Sequence, residues 1–270
     1  MIRPIQAFED NIRPAQLMLQ VYRLLDCGDA IRTEGEFVDR LRALVSASAT
    51  EDLMLVQNEI FLGLVRERAQ LPKSALKSAT LTHLLRQAIV ASCTALDAYL
   101  PALLRLHLPE IIRRKGRSFA LDEATREHWS DLQFGLDDVL RLRGEEEEAA
   151  ALFISNRLLS LASFKYLSSK TGVHVVAVLL GIVGPWDQIA AHLGRDKREL
   201  TAVLEATVNR RNDIVHRADR EKATPEGEPQ AITYAQANQG VDNIKHVCLA
   251  LDELVERGLR ELRAQPPEGH

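Results

Sequence analysis

The most regular apolar pattern of this sequence lies in residues 84–104, LLRQAIVASCTALDAYLPALL. From Leu81 onward, small or apolar side chains recur at steps of three and four residues, the spacing of one helix face: Leu81, Leu84, Leu85, Ala88, Ile89, Ser92, Leu96, Tyr99, Leu100 and Leu103. A face that continues over about six turns has to be covered by other elements. The stretch therefore predicts an all-α protein with one long central helix.

The remainder of the chain repeats this periodicity and shows little of the two-residue alternation typical of half-buried strands. Helices are predicted over Ala7–Asp26, Gly35–Ser48, Glu51–Gln70, Ser74–Leu108, Glu145–Ser169, His174–Val183, Asp187–Leu193, Asp196–Val215 and Ala231–Arg263. The run Val173–Val183 is rich in β-branched residues and is also compatible with a buried strand, but no second strand is available to pair with it. We expect an antiparallel bundle in which residues 1–73 pack on a domain of residues 74–264, followed by a disordered tail at 265–270.

Two charged clusters lie between the predicted helices or at their ends. The basic cluster Arg113-Arg114-Lys115-Gly116-Arg117 is predicted as a loop between helices, either solvated or in contact with a phosphate. The run Glu145–Glu148 is predicted to start a helix, because the positive end of the helix dipole favours carboxylates.

Composition limits the classes of function. The chain has 270 residues, of which 46% are hydrophobic and 27% charged, as in soluble globular proteins. A net charge of −4 argues against a protein that coats nucleic acid through its overall field, so any polyanion site must be a local patch. The three cysteines and the histidines show no metal-ligand spacing, and no metal or cofactor is expected. The N-terminus lacks a signal-like apolar segment and Val173–Val183 is about half a membrane span, so we expect a cytoplasmic chain without a membrane segment.

One arginine stands where a helix should carry an apolar residue. In NRRNDIVHRADR, residues 209–220, Arg211 falls in the middle of the apolar stripe of the predicted helix Asp196–Val215. Arginine cannot lose its charge on burial, so Arg211 requires an anion nearby. That anion is either a carboxylate such as Asp97 or Asp213, or a ligand.

The same segment resembles the signature of the HEPN superfamily. In that signature an asparagine directly follows an arginine, and a histidine stands five positions after the arginine. Arg211, Asn212 and His216 fit this pattern. Residues 84–104 resemble the long early helix of HEPN domains, and Ala7–Asp26 resembles their lead-in helix. Residues 181–194, GIVGPWDQIAAHLG, are followed by a predicted helix and then by the motif. This order is similar to that of bacterial HEPN proteins of the ribonuclease-L-like and defence-island groups.

The resemblance implies a dimeric α-helical bundle that acts as a metal-independent endoribonuclease in toxin–antitoxin or antiviral systems. Arg211 and His216 would be the catalytic pair, and Asn212 the accompanying polar residue. RNA, a second copy of the chain and an antitoxin or other defence protein are the implied partners. HEPN toxins that are regulated by nucleotide transfer carry a tyrosine two residues after the histidine, and this chain has Ala218 there.

These residue types suit cleavage of RNA without a metal. Histidine titrates near neutral pH, so His216 can remove the proton of a 2′-hydroxyl or protonate the leaving oxygen. The planar fork of Arg211 suits phosphate oxygens. Asn212 lies on the helix face of His216 and can orient the ring or the phosphate. The products would be a 2′,3′-cyclic phosphate and a 5′-hydroxyl.

Several alternatives remain open at the level of sequence. Asp97, at the flank of the long helix, is predicted as a structural partner rather than a catalyst. Arg210, Arg217 and Arg220 form a basic shoulder that either guides RNA or is solvated. The chain could also be a HEPN module that binds RNA, a nucleotide or a protein without catalysis.

Geometry adds one further expectation. Positions 211 and 216 point about 140° apart on a regular helix. Either the helix therefore breaks before His216, or two copies of the chain build the site together.

Overall fold

The structure, a computed structural model, describes residues 3–25, 78–121, 126, 132–161, 167–221 and 226–265, and every regular element in these ranges is a helix. The helices are α1 (Pro4–Leu25), α2 (Ser78–Leu121), α3 (Leu136–Gly144), α4 (Glu147–Leu159), α5 (Lys170–Leu179), α6 (Pro185–Leu193), α7 (Lys197–Arg217) and α8 (Tyr234–Ala264). The all-α prediction is thus confirmed for the described part. The predicted helices Gly35–Ser48 and Glu51–Gln70 lie outside the described residues, as do the boundary near residue 73 and the tail after residue 265.

Helix α2 is the central element, and α1, α4, α7 and α8 all pack against it. It runs beyond the predicted end at Leu108, and its one non-helical residue is Gly116, with φ 46° and ψ −119°. Glycine adopts this conformation without a Cβ clash. The predicted loop at Arg113–Arg117 is therefore wrong up to Lys115, because the helix continues past buried Ile111 and Ile112, but a break does lie in the cluster, since two helical segments meet at a kink at Gly116.

The apolar length of α2 also bears on membrane insertion. By length and composition, Thr80–Gly116 could cross a membrane. The buried core helix of a soluble protein passes the same test, and half of the apolar window of this helix is buried in the part of the chain that the structure describes.

Helices α1 and α8 are held to α2 by aromatic and charged contacts. The rings of Phe8 and Tyr99 lie 5.3 Å apart, and the Tyr99 hydroxyl donates to the Cys248 carbonyl at 3.2 Å. Further along α2, Glu110 accepts hydrogen bonds of 2.8 and 2.5 Å from Arg263 of α8. These bonds lower the pKa of the Glu110 carboxyl to about 2, against the opposing effect of burial.

The short helices α5 and α6 lead into α7, and capping residues define where the helices begin. The Ser169 hydroxyl accepts from the Gly172 amide, and the Asp196 carboxylate accepts from the Glu199 amide, each at 2.9 Å. Most of the run Val173–Val183 lies in α5, so the helical prediction is confirmed and the strand alternative is wrong.

Close contact between α7 and α8 depends on a glycine. A Cβ atom at Gly240 would lie 2.6 Å from the Thr207 hydroxyl oxygen, too close for two non-bonded atoms. Nearby, the buried Asn243 amide donates to the Leu200 carbonyl at 3.1 Å. The α7–α8 separation is therefore set one turn before Arg211.

Helix α3 was not predicted, and the helix that follows it is shorter than predicted. Helix α4 begins at Glu147, with Glu146 as its N-cap, so the helix start expected in the glutamate run is confirmed. It ends at Leu159 rather than at Ser169.

Candidate active site at the end of helix α7

The candidate site lies in the last two turns of α7, which is one uninterrupted helix through Arg217. Leu200 and Leu204 are fully buried, as the apolar stripe predicts. Val215 was expected in the same stripe but is 52% exposed. Residues 215–218 are all exposed, so the last turn projects from the bundle. Because α7 includes His216, the alternative in which the helix breaks before this residue is wrong.

Arg211 reaches back from this turn to the bundle surface. Its Nη2 donates to Asp97 Oδ2 of α2 at 3.1 Å and to the hydroxyl of Ser168 at 2.6 Å. The Arg211 side chain is 22% exposed and that of Asp97 is 40% exposed. Of the two carboxylates that the sequence suggested, Asp97 contacts Arg211, whereas Asp213 pairs with Arg217. The arginine in the stripe is thus neutralised by a partner that water can reach.

Cys93 lies beside the same guanidinium. Burial raises the pKa of its thiol to about 11, although Arg211 acts in the opposite direction. The thiol is therefore protonated at neutral pH. Asp97, rather than Cys93, is the counter-charge of Arg211.

His216 and Asn212 differ from Arg211 in having no partner within the described ranges. No hydrogen bond or ion pair in these ranges involves the side chain of either residue. His216 is exposed, and Asn212 is partly buried one turn earlier. The imidazole is consequently open to a ligand or to a second chain.

Arg210 points into a different, buried charge cluster. Its Nη2 donates to Asp219 Oδ2 at 2.8 Å, and its Nε lies 2.6 Å from Asp219 Oδ1 without the alignment of a hydrogen bond. Arg86 of α2 donates to the same carboxylate at 2.6 Å, and both arginines donate to the Gln230 carbonyl at 2.9 Å. We call Arg86, Asp219 and Arg210 the Asp219 cluster. Its contacts favour a structural role for Arg210 over the predicted RNA contact.

The other two arginines of the predicted basic shoulder also have partners inside the chain. Arg217 forms an ion pair with Asp213, and its side chain is 38% exposed. Arg220 donates from Nε to the Gly227 carbonyl at 2.7 Å. Neither is a free cation, although the charge of Arg217 remains partly in solvent.

Sequence reasoning missed the Asp219 cluster. Asp219 is 0% exposed and adopts a left-handed conformation with φ 64°, directly after Ala218 with φ 50°. Arg86 stands at the edge of the α2 apolar face and is only 6% exposed. That position was a usable signal, because an arginine beside buried leucines requires an acidic partner.

No group of three or more His, Cys, Asp or Glu side chains that could hold a metal occurs in the described ranges. No protein-family model, curated protein or solved structure matches this chain significantly.

Proposed function

We propose that this chain is a HEPN-type, metal-independent endoribonuclease whose site consists of Arg211, Asn212 and His216. The observation that carries the proposal is their arrangement at the end of α7. Arg211 is anchored at the bundle surface, while the His216 side chain is exposed and has no partner in the described ranges. The proposal includes a bundle of HEPN type. Such a bundle is all-helical, as the described part of this chain is.

Arg211 acts in this proposal as the phosphate clamp. A guanidinium has five N–H donors, and the bonds to Asp97 and Ser168 both leave from Nη2. A phosphate can therefore bind the same guanidinium without complete loss of the Asp97 contact. Charge builds on the non-bridging oxygens as the phosphate is attacked, and a fixed cation stabilises that charge.

His216 moves the protons. A neutral imidazole accepts the proton of the 2′-hydroxyl, and the oxygen attacks the adjacent phosphorus. The bond to the 5′-oxygen then breaks, and this oxygen takes a proton from a protonated imidazole. The products are a 2′,3′-cyclic phosphate and a 5′-hydroxyl, and no water or metal is consumed in the step.

The unbroken helix requires two copies for this chemistry. Five residues separate Arg211 from His216, so their side chains diverge by about 140° on one helix. Two α7 ends related by a two-fold axis can place an arginine of one copy and a histidine of the other on one phosphate. Exposed Val215 beside His216 supplies apolar surface for this contact.

The proposal extends to the biological setting implied by the resemblance. A ribonuclease of this type would act on cellular or invading RNA in the cytoplasm, as part of a toxin–antitoxin or antiviral system. An antitoxin or other defence protein would restrain it.

The direct test is RNA cleavage in EDTA by the purified full chain. The wild type should cleave RNA to fragments with cyclic phosphate ends, whereas His216→Ala should have no activity and an unchanged melting temperature. His246→Ala is the matched control, since His246 is an exposed histidine on α8. Cleavage that survives His216→Ala, or a wild type inactive on every RNA tried, overturns the proposal.

The composite site has a separate test. Activity per chain should fall on dilution below the dimer dissociation constant, and Val215→Asp should lower it at ordinary concentration. Sedimentation and cleavage are measured on one dilution series. A monomer with constant activity per chain contradicts the two-copy site.

A second candidate function is a non-catalytic HEPN-type binding module. The observation that favours it is the pairing of Arg210, Arg211, Arg217 and Arg220 within the chain, which reduces the cationic surface for RNA. This candidate predicts binding of RNA or protein with no cleavage at any concentration.

A further inference from the structure

Ser168 stands directly before the N-cap of α5 and holds the guanidinium of Arg211. Its hydroxyl oxygen accepts from Arg211 Nη2 at 2.6 Å, and the same nitrogen donates to Asp97 at 3.1 Å. Ser168 is only 6% exposed, whereas the Asp97 side chain is partly in solvent. The two partners of one nitrogen therefore differ in their access to water and in their charge.

The turn that carries Ser168 is fixed by its own backbone. The Ser169 amide donates to the Leu167 carbonyl at 2.7 Å, and the Ser169 hydroxyl accepts from the Gly172 amide. A Cβ atom at Gly172 would overlap the same Leu167 carbonyl, so the turn lies directly against the start of α5. Leu167 and Gly172 are both buried. The position of the Ser168 hydroxyl is thus set by contacts that do not involve Arg211.

A phosphate that binds Arg211 competes with one of these partners and not with the other. Nη2 has two hydrogens, enough for one bond to Asp97 and one to Ser168. A partly exposed carboxylate gives up its arginine at little cost. The buried hydroxyl carries no charge that would repel a phosphate. When Asp97 is displaced, the bond to Ser168 therefore remains and fixes the plane of the guanidinium.

We propose that Ser168 is a positioning residue, which fixes the direction of the Arg211 guanidinium while a phosphate replaces Asp97. This inference rests on the proposed function, in which Arg211 clamps the phosphate. A donor stabilises developing charge best when it is fixed before the reaction, because it then needs no reorganisation. Attraction of the substrate phosphate depends mainly on the charge, which Arg211 keeps in any orientation. Ser168 therefore acts on kcat and has little effect on RNA affinity.

Steady-state cleavage by the full chain separates positioning from a purely structural role. Ser168→Ala should lower kcat by about tenfold or more and change KM by less than about twofold, since a small misplacement of a reacting group costs up to about 100-fold in rate. Ser155→Ala is the matched control, because Ser155 of α4 is also a buried serine and its hydroxyl has no hydrogen-bond partner in the described ranges. Ser168→Thr keeps a hydroxyl and should retain most of the wild-type kcat. A loss of kcat in Ser168→Ala no larger than that in Ser155→Ala overturns the proposal.

Nitrogen-15 spectra of the Arg211 guanidinium test the positioning without any cleavage. The signals are assigned by their loss in Arg211→Lys, and their exchange reports rotation about the Nε–Cζ bond. Asp97→Ala imitates the displaced carboxylate and leaves the Ser168 bond on Nη2. Rotation should stay slow in Asp97→Ala and become at least several-fold faster when Ser168→Ala is added. Equal rotation rates in these two variants overturn the proposal, whether or not the chain cleaves RNA.

The positioning role and the ribonuclease site can fail separately. A wild type that cleaves no RNA contradicts the ribonuclease site and removes the effect of Ser168 on kcat. Slow rotation in Asp97→Ala that is lost in the double variant would still establish Ser168 as the residue that fixes Arg211. An active wild type whose kcat is unchanged in Ser168→Ala contradicts the positioning role alone.

Discussion

Arg210 and Arg211 are neighbours in sequence, yet they belong to charge clusters that differ in access to water. Arg210 contacts Asp219, whose side chain is 0% exposed, and Arg211 contacts Asp97, whose side chain is 40% exposed. A buried ion pair cannot exchange its partner without exposing an uncompensated charge. A partly exposed pair exchanges partners at little cost. Of these two arginines, Arg211 is therefore the one suited to exchange its carboxylate for a phosphate.

The greatest loss of stability is predicted for the Asp219 cluster. Asp219→Ala leaves Arg86 and Arg210 without their shared anion, and should lower the free energy of unfolding by about 3–5 kcal/mol. Denaturant unfolding followed by circular dichroism measures the loss. Asp219→Asn should lower the free energy of unfolding by less, because asparagine also tolerates the left-handed conformation and keeps an acceptor oxygen. A loss below about 1 kcal/mol for Asp219→Ala would show that the cluster is not structural.

The next effect is on catalysis at the open cluster. Arg211→Ala should reduce cleavage by about 100-fold or more, since a fixed donor to the developing charge is lost. Its free energy of unfolding should change by about 1 kcal/mol or less. Arg210→Ala serves as the comparison and should mainly lower stability. The comparison fails if the two variants lose activity and stability in the same proportion.

The exposure of Glu110 lies between those of Asp219 and Asp97, since its side chain is 22% exposed. Its pKa is lowered to about 2, so its bond to Arg263 stabilises the fold above pH 4.5 and is lost as the pH falls toward 2. The wild type should therefore lose about 1 kcal/mol relative to Glu110→Gln between pH 5 and pH 2, after allowance for solvent screening. Parallel unfolding titrations measure the difference. A constant difference across this range would contradict the assignment.

The smallest effect is expected at Asp97. Asp97→Ala should change the free energy of unfolding by less than about 1 kcal/mol, because the Arg211 pair is partly solvated. The same change frees the Arg211 guanidinium and should tighten binding of a short RNA to the His216→Ala background. Electrophoretic shift assays compare His216→Ala with and without Asp97→Ala. Weaker RNA binding would indicate that Asp97 positions Arg211 rather than competing for it.

The central helix could be predicted because its apolar face is uninterrupted over many turns. Helix α3 could not, since nine residues are too few for a clear period. The basic run Arg113–Arg117 predicts a loop, whereas the structure has a kink at Gly116 alone. Buried Ile111 and Ile112 just before it carry the helix onward to Gly116.

The positions of the site residues along α7 could be predicted from the sequence, but their contacts with other helices could not. Periodicity placed Arg211 in the apolar stripe and so indicated a nearby anion. It could not choose between Asp97 and Asp213, because a repeat along one helix does not say which residue of another helix faces it. The burial of Asp219 depends on two consecutive left-handed residues, Ala218 and Asp219, that are not glycine. Aspartate is enriched in that conformation but alanine is not, so local propensity does not predict the pair.

The contact between Gly240 and Thr207 has a consequence for sequence evolution. A methyl group at position 240 would lie 2.6 Å from the Thr207 hydroxyl oxygen, so side-chain size at one position limits size at the other. Among homologous sequences, alanine at 240 should occur with alanine at 207, and glycine at 240 with threonine. Thr207 stands one turn before Arg211, so this covariation would also report how strictly the lineage maintains the placement of the proposed phosphate clamp.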